Sequence, residues 1–235
     1  MSEIAEKIAA EIGRTGTIPF VRFMEIALYC PDYGFYEKEK DNIGRRGDFF
    51  TSVSVGGLFG ELLAFQFAEW LEIGQDADIR IVEAGAHNGQ LAADILGWMR
   101  ERRENIFGRL KYYIVEPSAR RWQWQQAKLQ EFPETVVWIP EISALAKTSA
   151  PAQTIIFSNE LMDSMPVHRL GWDAKAKRWF EWGVALKDGH FAWSRMGDAE
   201  NHASRFTFHT PEFESLLNIL PDGYIIEVCP AAETW

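Results

Sequence analysis

A glycine-bearing turn between an apolar run and an amphipathic segment constrains the fold of this chain more than any other feature. The apolar run at residues 81–84 contains Glu83 and leads into the turn at 85–89. A second apolar run, at 112–115, ends on Glu116, thirty-three residues after Glu83. Strand, tight turn, helix, strand and acid is the order in which α/β sheets build nucleoside sites. The sequence therefore predicts a sheet with a nucleoside site at one edge.

Hydrophobic periodicity extends this pattern along the middle of the chain. Apolar runs alternate with segments whose apolar residues recur at helical spacing. Ser118 precedes one of these segments and is predicted to cap its helix. Alternating strands and helices indicate an α/β fold with a parallel sheet and right-handed crossovers. Strands are predicted near 79–84, 111–116, 135–139 and 153–158, and helices near 89–103 and 119–131.

The two ends of the chain differ from this middle part. Helices are predicted in the N-terminal part, followed by a polar, glycine-bearing loop. After residue 166 the segments are short and aromatic, and Lys187-Asp188-Gly189 is typical of a hairpin turn, so an antiparallel β insertion is expected. The helices are predicted at 3–13, 20–29 and 56–72, the loop at 37–52, and the hairpin strands at 178–186 and 190–195. We expect three segments: 1–75, helical with a substrate-side loop; 76–170, a Rossmann-like core; and 171–235, the insertion and the start of the C-terminal part of the core.

Charge and composition restrict the classes of partner. The formal net charge of −10 and pI near 5.1 argue against nucleic acid and anionic membranes, and favour a basic peptide or a neutral metabolite. Two cysteines without metal-like spacing suggest a reducing compartment, and no metal site is expected. The acidic N-terminus lacks a signal or transit pattern, and no apolar run reaches membrane-spanning length. A cytoplasmic location is therefore expected.

The acid that precedes the glycine turn indicates which nucleoside ligand to expect. Glu83 would repel a pyrophosphate but could bind the ammonium of an amino acid, which favours S-adenosylmethionine over a dinucleotide, and hence a methyltransferase. Glu116 is then expected to accept hydrogen bonds from the ribose. His87 could contact the cofactor carboxylate, or it could be a turn residue that points to solvent. The predicted cofactor-binding residues are Glu83, Gly85, Ala86, His87, Gly89, Glu116 and Asn159.

A second polar cluster follows the apolar run that ends at residue 158. Asn159 and Glu160 lie at the carboxyl end of a predicted strand, where doubly wound sheets place their chemistry. Asp163 would share a helical face with Glu160 if a helical turn begins there. Together with His168, these carboxylates could hold a cationic nucleophile. The alternative is a capping and turn cluster around Pro166.

Four ordered motifs, taken together, resemble one family. They are Gly47-Asp48-Phe49-Phe50-Thr51-Ser52 with Leu58-Phe59-Gly60-Glu61, then 82–96, 113–116 with Ser118 and Gln125, and 159–168. From about residue 15 to its end, the chain resembles the MidA family of class I S-adenosylmethionine-dependent methyltransferases. The resemblance implies a Rossmann-like methyltransferase sheet with the cofactor at the glycine turn. Mitochondrial members are linked to arginine methylation of a respiratory complex I subunit and to assembly of that complex.

The resemblance also implies roles for particular residues. A protein arginine side chain is the expected acceptor, with Glu160, Asp163 and His168 as catalytic residues. The loop at 47–52 would form a lid near the substrate, whereas the alternative from the residues alone is that Asp48 or Thr51 only caps the following helix. Its substrate-binding residues would be Asp48, Phe49 and Thr51.

Two departures from the family pattern leave alternatives open. Family members usually carry glycine at the position of His87, and only about four of the seven strands of a class I sheet can be placed before the chain ends at Trp235. The chain is therefore expected to lack the C-terminal strands, and pairing through an uncovered sheet edge predicts a possible homodimer. One alternative is a degenerate or truncated member that acts as a binding or assembly factor without turnover. A Rossmann oxidoreductase is a further alternative, although the G-x-G-x-x-G spacing is absent.

Overall fold

The structure is a computed structural model in which the chain divides into two compact units. We call Asp41–Asp163, which groups with the terminal Trp235, the parallel unit, and Met1–Lys40 with Ser164–Thr234 the antiparallel unit. The residues that the structure describes are 2–37, 52–73, 78–147, 152–198 and 216–233.

Helices and strands alternate through the parallel unit, whereas the antiparallel unit combines two N-terminal helices with a sheet. Among the described residues, the α-helices are α1 (Glu3–Thr15), α2 (Phe20–Tyr29), α3 (Ser52–Val55), α4 (Leu58–Leu71), α5 (Gln90–Arg102), α6 (Glu104–Phe107), α7 (Ala119–Lys128) and α8 (Pro230–Glu233). The strands are β1 (Ile18–Pro19), β2 (Asp78–Ala84), β3 (Leu110–Val115), β4 (Val136–Ile139), β5 (Ala152–Ser158), β6 (His168–Asp173), β7 (Arg178–Lys187), β8 (His190–Asp198) and β9 (Ile225–Val228).

The parallel unit contains a four-stranded sheet in the order β4-β3-β2-β5, and every pair of neighbouring strands is parallel. Parallel sheets are normally covered on both faces, so their strands are apolar in nearly every position. β2 has three charged residues among its seven, but its residues from Ile81 to Ala84 are all buried, including Glu83. The α/β architecture predicted from the alternating pattern is confirmed, as are its four strands.

Alternate residues of the parallel strands pack into two separate apolar clusters. Ile81 of β2 and Ile114 of β3 face a large cluster that also contains side chains of α4 and α5. Val82 and Val115 belong to a second, smaller cluster. The period-two alternation of strand side chains explains this separation. It also places Glu83, two residues after Ile81, on the side of the large cluster.

The predicted helices of the parallel unit agree with the structure except at their ends. The helix predicted at 56–72 is α4 (Leu58–Leu71), which Gly57 precedes, and the short helix α3 (Ser52–Val55) lies outside the predicted range. Ser118 caps α7 as predicted, since its Oγ accepts a hydrogen bond from the Arg121 backbone N–H at 3.4 Å.

The antiparallel unit is organised around the long strand β7. β8 pairs along one edge of β7, while β6 and then β1 pair along the other, and β9 continues the sheet beyond β6. The predicted hairpin is confirmed: Asp188 and Gly189 connect β7 to β8 with φ values of 50° and 77°. Positive φ at both central residues is the geometry of the type I′ turn, which suits the twist of paired strands.

The N-terminal helices pack on this sheet, an arrangement that the sequence analysis did not foresee. Ile8 and Ile12 of α1 and Ile26 of α2 form a buried cluster with Ile18 and Val184 of the paired strands β1 and β7. The units of the structure therefore differ from the predicted segments 1–75, 76–170 and 171–235, because the N-terminal helices group with the predicted insertion and α4 groups with the core. β1 is too short, and contains a proline, to give a strand pattern.

β5 is an edge strand in the part of the sheet that the structure describes. Ile156 of this strand is half exposed. The homodimer predicted through a sheet edge stays a prediction. In the described part of the chain, every helix is too short or too polar to cross a membrane.

Candidate functional site

The register of the parallel sheet brings three predicted site residues to one edge. Ala84 at the end of β2 is aligned with Val115 of β3 on one side and with Ser158 of β5 on the other. The residues that follow these three strand ends are Gly85, Glu116 and Asn159. They therefore leave the sheet side by side at its carboxyl edge, which is where open α/β sheets bind their ligands.

The turn between β2 and α5 depends on left-handed backbone conformations. Gly85 and Gly89 have φ values of 74° and 83°, and a Cβ on Gly85 would lie 2.7 Å from Cδ1 of Leu161. The backbone conformation at position 85 therefore favours glycine, and a side chain there would displace the end of the Leu161 side chain. His87 also has a positive φ, 46°, although it carries a side chain. A non-glycine residue in this conformation raises the free energy of the backbone by about 1 kcal/mol or more. The backbone at His87 is therefore strained, whereas a glycine there would not be.

Glu83 is a buried carboxyl group next to the turn. Its exposed fraction is 2%, and its Oε2 accepts a hydrogen bond from the Tyr112 hydroxyl at 2.7 Å. Burial raises the pKa of Glu83 to about 7, and the hydrogen bond from Tyr112 opposes part of that rise. The pKa of Tyr112 is raised by its own burial and by the neighbouring carboxylate. Glu83 thus changes its charge near neutral pH.

Glu116 is also buried, but in a polar setting. One carboxylate oxygen accepts the Ser118 backbone N–H at 2.9 Å, and the other lies 3.3 Å from the Gln125 amide nitrogen and 3.5 Å from an Arg121 guanidinium nitrogen. These contacts fix the orientation of the carboxylate at the carboxyl edge of the sheet.

The Gln125 side chain connects the glycine turn to Glu116. The side chain of Gln125 is fully buried, and its amide N–H donates to the His87 carbonyl at 2.9 Å as well as to Glu116. Its amide oxygen accepts a hydrogen bond from the Trp138 indole at 3.0 Å. The turn after β2, the acid after β3 and strand β4 therefore share one side chain. Sequence reasoning gave Gln125 no role, because a single polar residue within α7 carries no local signal of burial.

Gln125→Leu is expected to lower the free energy of unfolding by about 2 kcal/mol or more. The substitution removes the part-buried hydrogen bonds that Gln125 makes with the Trp138 N–H and the His87 carbonyl, and each of these contributes about 1 kcal/mol. Urea unfolding measures the effect. Gln126→Leu is the matched control, because Gln126 lies on the same helix and is exposed. Equal stabilities of the two variants would contradict the linking role of Gln125.

The second polar cluster is only partly as expected. Glu160 and Asp163 are both exposed, and Asp163 lies in the 3₁₀ turn Met162–Ser164. Glu160 precedes this turn with a φ of 50°, so the shared helical face expected for the two carboxylates does not form. A non-glycine residue in a left-handed conformation at a strand end is often found at functional sites. Asn159, between Ser158 and Glu160, is half buried.

His168 is the first residue of β6 and belongs to the antiparallel unit. Its Nδ1 lies 2.6 Å from Oε1 of Glu181 on β7, and both side chains are largely buried. A carboxylate at this distance orients an imidazole and favours the tautomer with the proton on Nδ1. The sequence gave no indication of Glu181, because the pairing depends on strand register. The predicted substrate residues Asp48, Phe49 and Thr51 lie outside the described residues.

Solved structures and curated relatives resemble this chain over most of its length. A COG1565 superfamily member from Burkholderia thailandensis, with S-adenosyl-homocysteine bound, superposes with a TM-score of 0.69 at 28% identity, covering 97% of this chain and 56% of that one. The mitochondrial protein arginine methyltransferase NDUFAF7 homolog of Drosophila melanogaster is 27% identical over 187 residues, 71% of this chain and 41% of its own length. The Danio rerio protein arginine methyltransferase NDUFAF7 is 27% identical over 196 residues, 72% of this chain and 45% of its own length. The chain thus spans about half the length of the relatives it matches, or less.

A family model covers most of the chain. The model described as "Putative S-adenosyl-L-methionine-dependent methyltransferase" matches residues 62–235. This range contains the glycine turn, the acid after β3 and the polar cluster after β5. The resemblance found from the sequence motifs is confirmed, and with it the cofactor class. The chain belongs to this family of S-adenosyl-L-methionine-dependent methyltransferases.

Proposed function

We propose that this chain transfers a methyl group from S-adenosylmethionine to an arginine side chain of a protein. The convergence of Gly85, Glu116 and Asn159 at the carboxyl edge of the parallel sheet is the observation that carries the proposal. The names of the fly and zebrafish relatives, which are protein arginine methyltransferases, support the choice of acceptor. Since the chain spans less than half of those two relatives, the activity and the acceptor are proposals for this chain.

The buried polar groups at the sheet edge suit a nucleoside attached to an amino acid. Glu116 follows β3 at the carboxyl edge and is oriented by Ser118, Gln125 and Arg121, and it would accept hydrogen bonds from two adjacent ribose hydroxyls. Glu83 would face the ammonium group, whose positive charge favours the ionised carboxylate. Backbone groups of Gly85, Ala86, His87 and Gly89 would contact the amino-acid end, and Asn159 would complete the site.

When bound, S-adenosylmethionine supplies an electrophilic methyl group on a positively charged sulfonium. The task that remains for the protein is to position the acceptor. A guanidinium is charged and poorly nucleophilic, because its pKa exceeds about 12. The exposed carboxylates of Glu160 and Asp163 would hold this cation and draw its charge away from the attacking nitrogen. We propose that one of these two carboxylates accepts the proton and that the loop with Asp48, Phe49 and Thr51 borders the substrate, whereas the catalytic role of His168 stays a prediction from the sequence.

The proposal also covers the class of partner and the cellular location of the protein. A net charge of −10 favours a basic protein substrate and disfavours nucleic acid and anionic membranes. The cytoplasmic location expected from the sequence is part of the proposal. A binding or assembly factor without turnover is the second candidate function, and the observation that favours it is the strained backbone of His87 in the glycine turn.

Glu160→Gln is expected to reduce methyl transfer at least tenfold while it leaves cofactor affinity within about twofold. The amide keeps the size of the side chain and removes the charge that would hold a guanidinium. The measurement is transfer of a labelled methyl group to a library of short arginine-containing peptides, with a lysine-for-arginine library beside it. Glu141→Gln is the control, since Glu141 is an exposed carboxylate elsewhere in the parallel unit. Unchanged transfer by Glu160→Gln would refute its role, and cofactor binding without transfer by the parent chain would favour the binding factor.

A further inference from the structure

Helix α4 presents an apolar stripe to solvent. Leu58, Leu62 and Phe65 follow one another at helical spacing and are 67%, 59% and 47% exposed, and Ile73, just beyond the helix, is 82% exposed. The opposite face of α4 is buried in the large cluster through Ala64, Phe67, Ala68 and Leu71. α4 is therefore apolar on both sides. Contiguous exposed apolar side chains on one helix are a typical feature of protein interaction sites.

A groove between α4 and α5 adjoins this stripe. Its volume is about 540 Å³, and Phe65 of the stripe forms one wall, with its ring 6.1 Å from that of Trp98 in an edge-to-face arrangement. The groove also contains three carboxylates, those of Glu61, Asp94 and Glu101. Aromatic faces and carboxylates in one groove are the features that recognise an arginine or lysine side chain.

Two arginines also line the groove, and acids outside the groove balance the charge of one of them. The Arg103 guanidinium lies 3.0 Å from Glu72 and 3.6 Å from Glu69, so nearby acids already balance its charge. Arg102 is the second arginine that lines the groove. The Arg103 guanidinium also lies 5.4 Å from the centre of the Trp98 ring, so this ring already supports a cation at the end of the groove.

We propose that the α4 stripe and the α4–α5 groove together form a docking surface for a basic amphipathic segment of a protein partner. The apolar side of that segment would cover Leu58, Leu62 and Phe65, and one of its arginine or lysine side chains would enter the groove between Glu61, Asp94 and Glu101. The net charge of −10 complements such a partner, whereas an anionic lipid surface would be repelled. The inference deepens the proposed function, on which it rests for the partner being a protein, by giving the partner a chemical character.

A fluorescent synthetic peptide tests this surface directly. In a helical conformation, the probe carries leucines on one face and arginines on the other, and fluorescence anisotropy measures its binding to the intact chain. Leu62→Glu and Glu101→Arg are each expected to weaken binding about tenfold or more, and added salt is expected to weaken it further. The matched controls are Ile219→Glu, at a site 76% exposed in the antiparallel unit, and Glu134→Arg, at an exposed acid of the parallel unit. Both controls are expected to bind within about twofold of the parent chain.

Three results would overturn the docking proposal. The first is equal binding of the probe by parent, Leu62→Glu and Glu101→Arg chains. The second is equal binding of a probe in which glutamates replace the arginines. The third is a dimer, detected by light scattering, that Leu62→Glu separates and the probe does not, which would make a second copy the occupant. Cofactor titration of the parent chain separates the two proposals, because absent cofactor binding with retained probe binding would refute the proposed function alone.

Discussion

Glu83→Gln is expected to make the protein more stable above neutral pH and, at the same time, to weaken cofactor binding about tenfold or more. Glu83 is buried beside Tyr112, and its pKa is raised from 4.5 to about 7. Above that pKa the native state contains a buried carboxylate with one hydrogen-bond donor, which is a costly arrangement. Glutamine keeps the shape and can still accept the Tyr112 hydroxyl, but it has no charge to desolvate.

The pH dependence of this effect has a defined sign and window. Between pH 4.5 and about 7, Glu83 is ionised in the unfolded chain and protonated in the native one, so the native state binds more protons. The stability that protonated Glu83 contributes is fully present below pH 4.5 and is lost as the pH rises through 7. The difference in unfolding free energy between variant and parent should therefore change by about 3 kcal/mol in favour of the variant across this window.

Urea unfolding of both proteins at a series of pH values measures this difference. Tyr112→Phe is the companion variant, because it removes the hydrogen bond that lowers the pKa of Glu83 and should extend the loss of stability to higher pH. The weaker cofactor binding expected for Glu83→Gln follows from the ammonium group of S-adenosylmethionine. The carboxylate can form an ion pair with this group and the amide cannot. Parallel stability profiles for parent and Glu83→Gln would show that Glu83 does not titrate within the window.

Glu116→Gln is expected to weaken S-adenosylmethionine binding about a hundredfold. Two hydrogen bonds from ribose hydroxyls to a carboxylate contribute about 1.5–3 kcal/mol each, and much of this is lost when the acceptor becomes neutral. The amide nitrogen of the new side chain would also face the Gln125 amide or the Arg121 guanidinium, which are donors. Calorimetric titration measures the affinity.

The control for this substitution separates affinity from folding. Glu134→Gln changes an exposed acid of the same unit and should bind the cofactor like the parent chain. Thermal unfolding without ligand shows how much of the effect in Glu116→Gln comes from the loss of the Ser118, Gln125 and Arg121 contacts. A folded Glu116→Gln chain with parental affinity would remove Glu116 from the ribose site.

Local patterns predicted the strand–turn–helix core because each of its signals lies within a few residues. The glycines at the turn, the cap at Ser118 and the hairpin at Asp188 and Gly189 all depend on short-range backbone geometry. Parallel register then placed Gly85 beside Glu116 without any further signal. The part of the candidate site at the carboxyl edge of the sheet, with Gly85 and Glu116, could therefore be predicted from the sequence.

Contacts between distant segments could not be predicted in the same way. Gln125 reaches His87 across 38 positions of the chain, and α1, near the N-terminus, packs on β7, which begins only at Arg178. Glu181 meets His168 only because β6 and β7 pair in one register. Glu160 and Asp163 would have shared a face only if a helical turn began there, and the positive φ of Glu160 shows that the backbone before the 3₁₀ turn is not helical. In each case the deciding interaction is tertiary and leaves no local pattern.

Calorimetric titration of the purified chain with S-adenosylmethionine, S-adenosylhomocysteine and NADH tests the central claim most directly. The arrangement of Glu83, the glycine turn and Glu116 predicts saturable binding of the first two ligands, with one site per chain, and no binding of NADH. Binding should weaken in Glu116→Gln and persist in Glu134→Gln. Absence of binding to either adenosyl ligand, or equal binding of NADH, would contradict the assignment of this sheet edge as the cofactor site.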